Sequence, residues 1–306
     1  MTLTLPILLE QLLNGLNYGL LLFLIAAGLS LVFGVMHLIN LAHGSLFMVG
    51  AFALAGTAAW TGNFWLAVVA GVGVAFVVGV VVERLVIRHL YTRNHLDQVL
   101  ATFGLILFFN ELMRWFSGGE PLFVSAPGYI SGSVELWEGF WYSRYRLIVT
   151  LAACVVALAM WFVIARTRAG MLVRAAASNP AMVRQMGYEV GLVAMMVFGI
   201  GAALAGLAGV MLGPVVSVEV GMGEQVLILA FVIVVIGGLG SIRGTFWAAI
   251  TIGMVDTLGR AFTPMLLGGF LDPRTVASLA PAISATLVYV VMAAVLIARP
   301  QGLFAR

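Results

Sequence analysis

Apolar residues run along this chain in blocks of about twenty, and short connectors containing glycine, proline or charged residues separate the blocks. A block of that length crosses the hydrocarbon core of a bilayer as an α-helix, whereas a membrane β-strand needs only about ten residues that alternate apolar with polar. Charged residues make up 9% of the chain, against about 25% in soluble domains. The sequence therefore predicts an all-α, polytopic helical bundle in a membrane.

Nine segments are apolar enough to be candidate spans, and turn-forming residues separate them. They are residues 8–33, 45–60, 64–82, 99–115, 147–165, 191–212, 225–236, 245–260 and 279–298. Segments 45–60 and 225–236 are short, so either can be a re-entrant or broken helix, and the bundle has eight or nine spans. The polar connectors are too short for a core of their own, so residues 1–306 are predicted to form a single transmembrane domain.

Arginine is distributed unevenly between alternate connectors. Residues 83–97, 166–189, 237–244 and 299–306 hold ten of the 15 basic residues, all of which are arginine. The positive-inside rule places these segments, and the C-terminus with them, in the cytosol. The loop 116–146 then lies outside, where its Trp and Tyr residues suit an aromatic belt at the headgroups. We therefore expect a multi-pass membrane protein with its C-terminus in the cytosol.

Two scarce residue types restrict the chemistry of the chain. It contains no lysine, which a phosphate-binding P-loop requires, so we expect neither ATP nor another cofactor to bind to this chain in that way. It contains one cysteine, Cys154, which excludes an intrachain disulfide and a CxxC metal or redox site. His37 and His43 have no third ligand nearby in the sequence, so no metal site is predicted. The positive charge does not require a nucleic-acid partner, because arginines on cytosolic loops account for it.

The connector 166–189 carries two predicted short helices. Residues 171–177 form one amphipathic helix, and Asn179 is an N-cap before the proline that begins a second helix over 181–186. Gly187 can end that second helix. Small alanines with flanking arginines suit the docking of another protein, and an amphipathic helix that lies on anionic headgroups is the alternative.

Four motifs stand out along the chain. They are Asn14-Gly-Leu-Asn-Tyr-Gly19 with Gly34-Val-Met-His-Leu-Ile-Asn40-Leu-Ala-His43-Gly44, then Arg174-Ala-Ala-Ala-x-Asn179-x-Ala181-x5-Gly187, Val235-Ile-Gly-Gly-Leu-Gly-Ser-Ile-Arg-Gly244 and Arg299-Pro-Gln-Gly-Leu-Phe304. Taken in order over nearly the whole chain, these motifs resemble those of the branched-chain amino-acid ABC importer permeases of the LivH subfamily. The resemblance implies a location in the cytoplasmic (inner) membrane of a bacterium.

This resemblance implies the fold of an ABC importer permease that moves branched-chain or other hydrophobic amino acids, or a similar small polar solute, by alternating access. It implies four partner chains besides membrane lipid. They are a second permease chain of the LivM type, two ATPase subunits that carry the ATP and magnesium, and an extracytoplasmic solute-binding protein.

Three groups of residues are candidates for function. The coupling loop toward the ATPases comprises Arg174, Ala175, Ala176, Asn179, Ala181 and Gly187. The translocation path comprises Asn17, His37, Asn40, His43 and Gly44. The hinge or re-entrant turn comprises Gly237, Gly238, Gly240 and Gly244.

The path residues centre on a predicted break at 34–44. Non-helical backbone at membrane depth survives only where protein buries it or where it lines a wet cavity, so this break is a natural place for a pathway. The alternative is that its polar side chains join helices to one another. The glycines of the third group likewise form either a hinge or merely a tight turn.

Two charged pairs and one stripe of small residues each have a structural interpretation as well as a functional one. Glu111 with Arg114, and Asp256 with Arg260, stand three and four residues apart, so each pair can neutralise itself on one helix face. Because both pairs lie toward the outer ends, we interpret them as anchors rather than a proton relay. Small residues recur at a spacing of four over 199–213, which favours close helix contact either within this chain or with the second permease.

A stand-alone transporter or channel and an intramembrane enzyme are the two alternatives to an importer subunit. A stand-alone secondary transporter or channel would have a polar midplane site and discontinuous helices in both halves. An intramembrane hydrolase would need a positioned nucleophile, base and oxyanion site, and the chain has neither GxSxG nor HExxH. The sequence therefore predicts a transport subunit and not an enzyme, with ATP hydrolysis on separate chains.

Overall fold

A computed structural model describes residues 5–137 and 139–304. Within them the longer helices are α1 (Leu5–Met36), α2 (His43–Thr61), α3 (Phe64–Leu85), α4 (His95–Ser117), α5 (Arg144–Arg166), α8 (Val190–Leu212), α9 (Met222–Gly237), α10 (Ile242–Leu267) and α11 (Pro273–Ala298). The shorter elements are a 3-10 helix (Ile87–Leu90), β1 (Ser133–Trp137), β2 (Phe140–Ser143), α6 (Arg168–Ser178) and α7 (Pro180–Gln185). The last two residues of the predicted cytosolic tail, 305–306, lie outside the described residues.

Each of the nine predicted segments coincides with one of the longer helices, so the prediction of an all-α membrane bundle is confirmed. In the described part of the chain, seven helices are long and apolar enough to cross a membrane, namely α1 to α5, α8 and α11. The other two account for the difference from the predicted eight or nine spans. Helix α9 has only 16 residues, and α10 contains Asp256 and Arg260 in its interior.

The predicted break at 34–44 is wrong at both ends. Helix α1 continues to Met36 and α2 already begins at His43, so the irregular segment is 37–42. Gly34 lies within α1 and packs against Gly240, since a methyl group on Gly34 would lie 3.3 Å from the Gly240 Cα. His37 adopts a left-handed φ of 52°, and there the chain turns back into the bundle.

Helices in the centre of the bundle touch through their backbones. Gly28 of α1 meets Gly201 of α8, and a methyl group at Gly28 would lie 2.6 Å from the Gly201 carbonyl oxygen. Gly50 of α2 meets Gly206 of the same α8, with a corresponding distance of 2.5 Å to its Cα. The small residues over 199–213 therefore serve packing within this chain, where close approach rather than hydrophobicity holds membrane helices together.

Two of the helices begin inside the bundle. Helices α2 and α9 follow irregular segments, 37–42 and 213–221, that connect each of them to a long helix. Their first turns are in contact, because a methyl group at Gly44 would lie 2.4 Å from the carbonyl oxygen of Gly223. The orders α1–α2–α3 and α8–α9–α10 therefore share one plan, in which a long helix, a break and a shorter helix follow one another.

The two ends of the bundle differ. What we call the hairpin end carries residues 116–137 and 139–146, where β1 and β2 pair antiparallel with Val134 opposite Tyr142. Leu122 in this segment exchanges two backbone hydrogen bonds, of 2.8 and 2.9 Å, with Val218 before α9. What we call the arginine-rich end carries the 3-10 helix, α6, α7 and residues 299–304.

Candidate functional site

The first candidate site is the pair of short helices α6 and α7 at the arginine-rich end. Thr167 caps α6, its Oγ1 accepting from the Gly170 N–H at 3.1 Å. Asn179 caps α7, its Oδ1 accepting from the Met182 N–H at 3.0 Å. Gly187 follows with a left-handed φ of 86°. Two short helices are present as predicted, and Asn179 is the predicted N-cap. Their bounds differ from the predicted 171–177 and 181–186, because α6 already begins at Arg168 and α7 runs from Pro180 to Gln185.

One face of this helix pair is packed against the bundle. Ala176 is 1% exposed and lies in a cluster with Leu31 of α1 and with Val193 and Val197 of α8. Gly170 is held so closely that a methyl group there would lie 2.3 Å from the carbonyl oxygen of Val163 on α5. Helix α6 therefore packs against α1, α5 and α8.

The six predicted coupling residues do not share a face. Ala176 is buried in the chain's own core and Ala175 is half-buried, whereas the other four are exposed. These four are Arg174, Asn179, Ala181 and Gly187.

Apolar side chains that the sequence did not single out stand out on the exposed side of α7 and in the turn after it. Met182, Met186 and Tyr188 are 56%, 70% and 53% exposed, and we call these three residues the methionine face. Flexible methionine side chains are typical of surfaces that bind another protein.

A buried carboxylate organises the neighbouring connector. Glu83, in the last turn of α3, is fully buried and accepts a 2.8 Å hydrogen bond from the Tyr91 hydroxyl. Its other oxygen pairs with the Arg88 Nη2 at 3.2 Å. Burial, and then the hydrogen bond to Glu83, raise the pKa of the Tyr91 hydroxyl above its ordinary value. The sequence places residue 83 in an arginine-rich connector but gives no sign that Glu83 is buried, because its partners lie beyond the end of its helix.

The predicted path residues lie in three places and not in one. Asn17 faces a groove in the hairpin-end half of α1, and His37 is exposed at the far end of that helix. Asn40, His43 and Gly44 are buried around the start of α2. The structure does not bring the five residues together into a single pathway.

Asn40 and His43, the polar side chains of the group buried at the start of α2, form hydrogen bonds with backbone atoms of the bundle. The Asn40 Oδ1 accepts from the Ala42 N–H at 3.0 Å, and the His43 Nε2 lies 3.2 Å from the Ile25 carbonyl oxygen. The first bond satisfies a backbone N–H just before α2, and the second joins α2 to the interior of α1. Both agree with the alternative that these side chains join elements of the bundle.

The predicted glycine turn is packed from two sides. Gly238 and Gly240 adopt left-handed φ values of 95° and 79°. Gly237 and Gly244 are in contact, since a methyl group on Gly237 would lie 2.5 Å from the carbonyl carbon of Gly244.

The C-terminal motif covers the same turn. The Leu303 N–H donates to the Ile236 carbonyl at 2.8 Å, and the Phe304 N–H donates to the Gly237 carbonyl at 3.3 Å. These bonds satisfy carbonyl groups at the end of α9 that have no partner within the helix. This contact gives the Arg299–Phe304 motif a structural reason.

The second candidate site is a groove of about 920 Å³ between α1, α9, α10 and α11. Polar and apolar side chains share its lining. The polar and charged ones include Asn14, Asn17, Arg146, Glu219, Asp256 and Arg260, and the apolar ones include Leu21, Met222, Val226 and Leu229.

Hydrogen bonds order the polar wall of this groove. Asp256 and Arg260 form the predicted pair as a two-bond fork, with Nε to Oδ2 at 2.8 Å and Nη2 to Oδ1 at 3.0 Å. The Asn17 side-chain amide donates to the Arg146 carbonyl at 3.0 Å, and the Asn14 Oδ1 accepts from the Arg146 guanidinium. Sequence reasoning treated these residues separately because they come from helices far apart in the chain.

Known proteins match this chain over most of its length. The sequence model of one family, described as "Branched-chain amino acid transport system / permease component", matches residues 11–298. The permease protein LivH of Escherichia coli K12 is 30% identical over 83% of this chain and 86% of its own length. BraD of Pseudomonas aeruginosa is 28% identical over 82% and 86%.

A probable LivH permease of Methanocaldococcus jannaschii is 24% identical over 94% of this chain and 89% of its own. No solved structure matches the chain. Among the described residues, no group of three or more His, Cys, Asp or Glu side chains is placed to hold a metal ion.

Proposed function

The chain belongs to the family of permease components of branched-chain amino acid transport systems, and on that basis we propose that it is a membrane subunit of an ATP-driven importer. Its cargo is a branched-chain or similar hydrophobic amino acid, the class named for its relatives. Since the chain has no lysine for a P-loop, two separate ATPase subunits bind the ATP and magnesium. A second permease chain of the LivM type and an extracytoplasmic binding protein complete the transporter.

The arginine-rich end faces the cytosol in this proposal, and the C-terminus lies there too. In the sequence, ten of the 15 arginines fall in residues 83–97, 166–189, 237–244 and 299–306, segments that the positive-inside rule places inside. The hairpin end then faces the binding protein.

The observation that carries the proposal is the two-sided character of α6 and α7. Their inner face packs on α1 and α8 through Ala176, and their outer face leaves Met182 and Met186 exposed. ATPase subunits that bind the methionine face would move α6 when they close on ATP. Helices α1 and α8 cross in backbone contact at Gly28. Through this contact the displacement of α6 would reach the centre of the bundle and open the solute path to one side of the membrane and then to the other.

A substitution at the methionine face tests the assignment. The double variant Met182→Asp, Met186→Asp should keep its place in the membrane and lose at least about tenfold of the copurifying ATPase subunit. Leu96→Asp is the matched control, since Leu96 is an exposed apolar residue at the same end outside α6 and α7. Equal ATPase recovery with both variants would refute the docking role and favour the alternative in which α6 and α7 lie on lipid headgroups.

One observation supports a second function, that of a stand-alone secondary transporter. Helices α2 and α9 both begin inside the bundle, and discontinuous helices in both halves are typical of such proteins. Reconstitution into proteoliposomes separates the two functions. The importer moves leucine only when the ATPase subunits and ATP are present, whereas a secondary transporter moves it with this chain alone under an ion gradient.

A further inference from the structure

The groove between α1, α9, α10 and α11 is built on a close helix crossing. Gly19 of α1 and Gly253 of α10 are in backbone contact, because a methyl group at Gly253 would lie 2.4 Å from the Gly19 Cα. Polar residues next to this crossing, Tyr18 and Asp256, therefore line one shared groove. We infer that this groove is a binding site for the zwitterionic end of an aliphatic amino acid, an inference that rests on the proposed function.

The groove contains an arginine, Arg260, with hydrogen-bond donors that are free to bind an anion. The Nε and Nη2 atoms of Arg260 each donate one hydrogen bond to Asp256, and within the described residues the other three N–H groups of Arg260 form no hydrogen bond. Its side chain is 61% exposed, whereas that of Asp256 is 6% exposed. Asp256 is thus a positioning residue that holds the guanidinium, and the free N–H groups fit the α-carboxylate of the solute.

The groove also contains a cation-binding group. Glu219 is exposed and precedes α9, and its carboxylate accepts no hydrogen bond from the described residues. An α-ammonium group has three donors that such a carboxylate can accept. Arg260 and Glu219 line the same groove, so they offer a positive and a negative charge to the carboxylate and the ammonium group of a zwitterion.

The remaining wall suits an aliphatic side chain. Met222, Val226 and Leu229 of α9 line the same groove together with Leu21 of α1. A ligand site of mostly apolar walls with a few placed polar groups is the usual arrangement for a small molecule. The groove therefore fits leucine-like solutes better than a free inorganic ion.

Cysteine protection tests binding without requiring transport. In a Cys154→Ala background, Gln225→Cys and Thr257→Cys place a thiol on two walls of the groove, in the full chain with its partner subunits in freeze–thawed vesicles. L-Leucine should slow maleimide labelling of both variants severalfold, whereas leucinamide and N-acetylleucine, each lacking one charge, should not. A thiol from Phe270→Cys, exposed in the turn outside the groove, should react at one rate throughout.

Charge variants complete the test. Arg260→Gln and Glu219→Gln should each raise the leucine concentration for half-protection at least about tenfold, as expected for a lost charge-assisted hydrogen bond. Arg114→Gln is the matched control, because Arg114 forms a similar but exposed pair with Glu111 outside the groove. Protection by leucinamide equal to that by leucine, or no protection at either position, would overturn the inference.

The outcome for the groove is separate from that for the proposed function. Protection by leucine together with uptake by this chain alone would support the groove and refute the ATP-driven importer. ATP-dependent leucine uptake without protection at either position would support the importer and refute the groove.

Discussion

The centre and the rim of this bundle are held by different means. In the most apolar stretch of α1, 78% of the residues are buried, whereas the figure is 22% for α4 and α5 and 17% for α11. The central helices meet at glycines, and the rim helices turn large side chains such as Leu100 and Val290 outward. The difference shows that the core is stabilised by close backbone approach, while the rim is free to meet lipid or partner chains.

Helix α3 shows both situations within two residues. A methyl group on Gly71 would lie 2.4 Å from a Val210 side-chain carbon and 2.8 Å from the Gly50 carbonyl oxygen, whereas nothing lies within 4 Å of a methyl group on Gly73. One helix therefore offers two helical glycines two residues apart, of which one is packed and the other is open.

The largest expected effect comes from that pair. Gly71→Leu should destabilise the protein by about 3 kcal/mol, because the added side chain forces α3 away from α2 and α8. Gly73→Leu should leave stability nearly unchanged. Thermal unfolding of the detergent-solubilised protein measures both, and equal melting temperatures would break the distinction between centre and rim.

The buried carboxylate Glu83 gives the next effect. Glu83→Ala removes the carboxylate that accepts from the Tyr91 hydroxyl and pairs with Arg88, so we expect a loss of about 2 kcal/mol. Glu111→Ala removes an exposed ion pair and should cause no measurable change. The same unfolding assay compares them, and a stable Glu83→Ala protein would show that the Glu83 hydrogen bonds are dispensable.

Two glycines with φ of 86° give a smaller contrast. Gly302→Ala and Gly187→Ala each cost about 1 kcal/mol of backbone strain. Gly302→Ala should cost more in total, because its methyl group meets the Gly238 backbone at 2.7 Å whereas the surroundings of Gly187 are open. A melting temperature that falls further for Gly187→Ala would contradict the packing of the tail on the turn.

The smallest effect on stability is expected at the rim of the arginine-rich end. Ala181→Leu should not change the melting temperature, since Ala181 is exposed, and should lower ATP-driven uptake if ATPase subunits dock there. Ala176→Leu should lower both, because Ala176 is buried against α1 and α8. Normal uptake by the Ala181→Leu variant would remove that residue from the docking surface.

The sequence was a good guide to elements that local chemistry specifies. Asn179 caps α7 as its position before a proline predicted, and the Asp256–Arg260 pair forms at its helical spacing. The break at 34–44 was placed too widely because Gly34 and Gly44 weaken an isolated helix. In the bundle each lies in close backbone contact with another glycine, Gly34 with Gly240 and Gly44 with Gly223. Such contacts between distant residues cannot be predicted from the local helix propensity.

The amino-acid sequence by itself determined the membrane bundle, its helices and the segregation of arginine, because those follow from the length and charge of single segments. Only the tertiary structure decided that Ala176 faces inward and that Glu219 and Arg260 share a groove. The physical reason is that a helix face acquires a role only from what packs against it. In a bilayer, where every apolar face is equally satisfied by lipid, close contact between distant helices makes that choice.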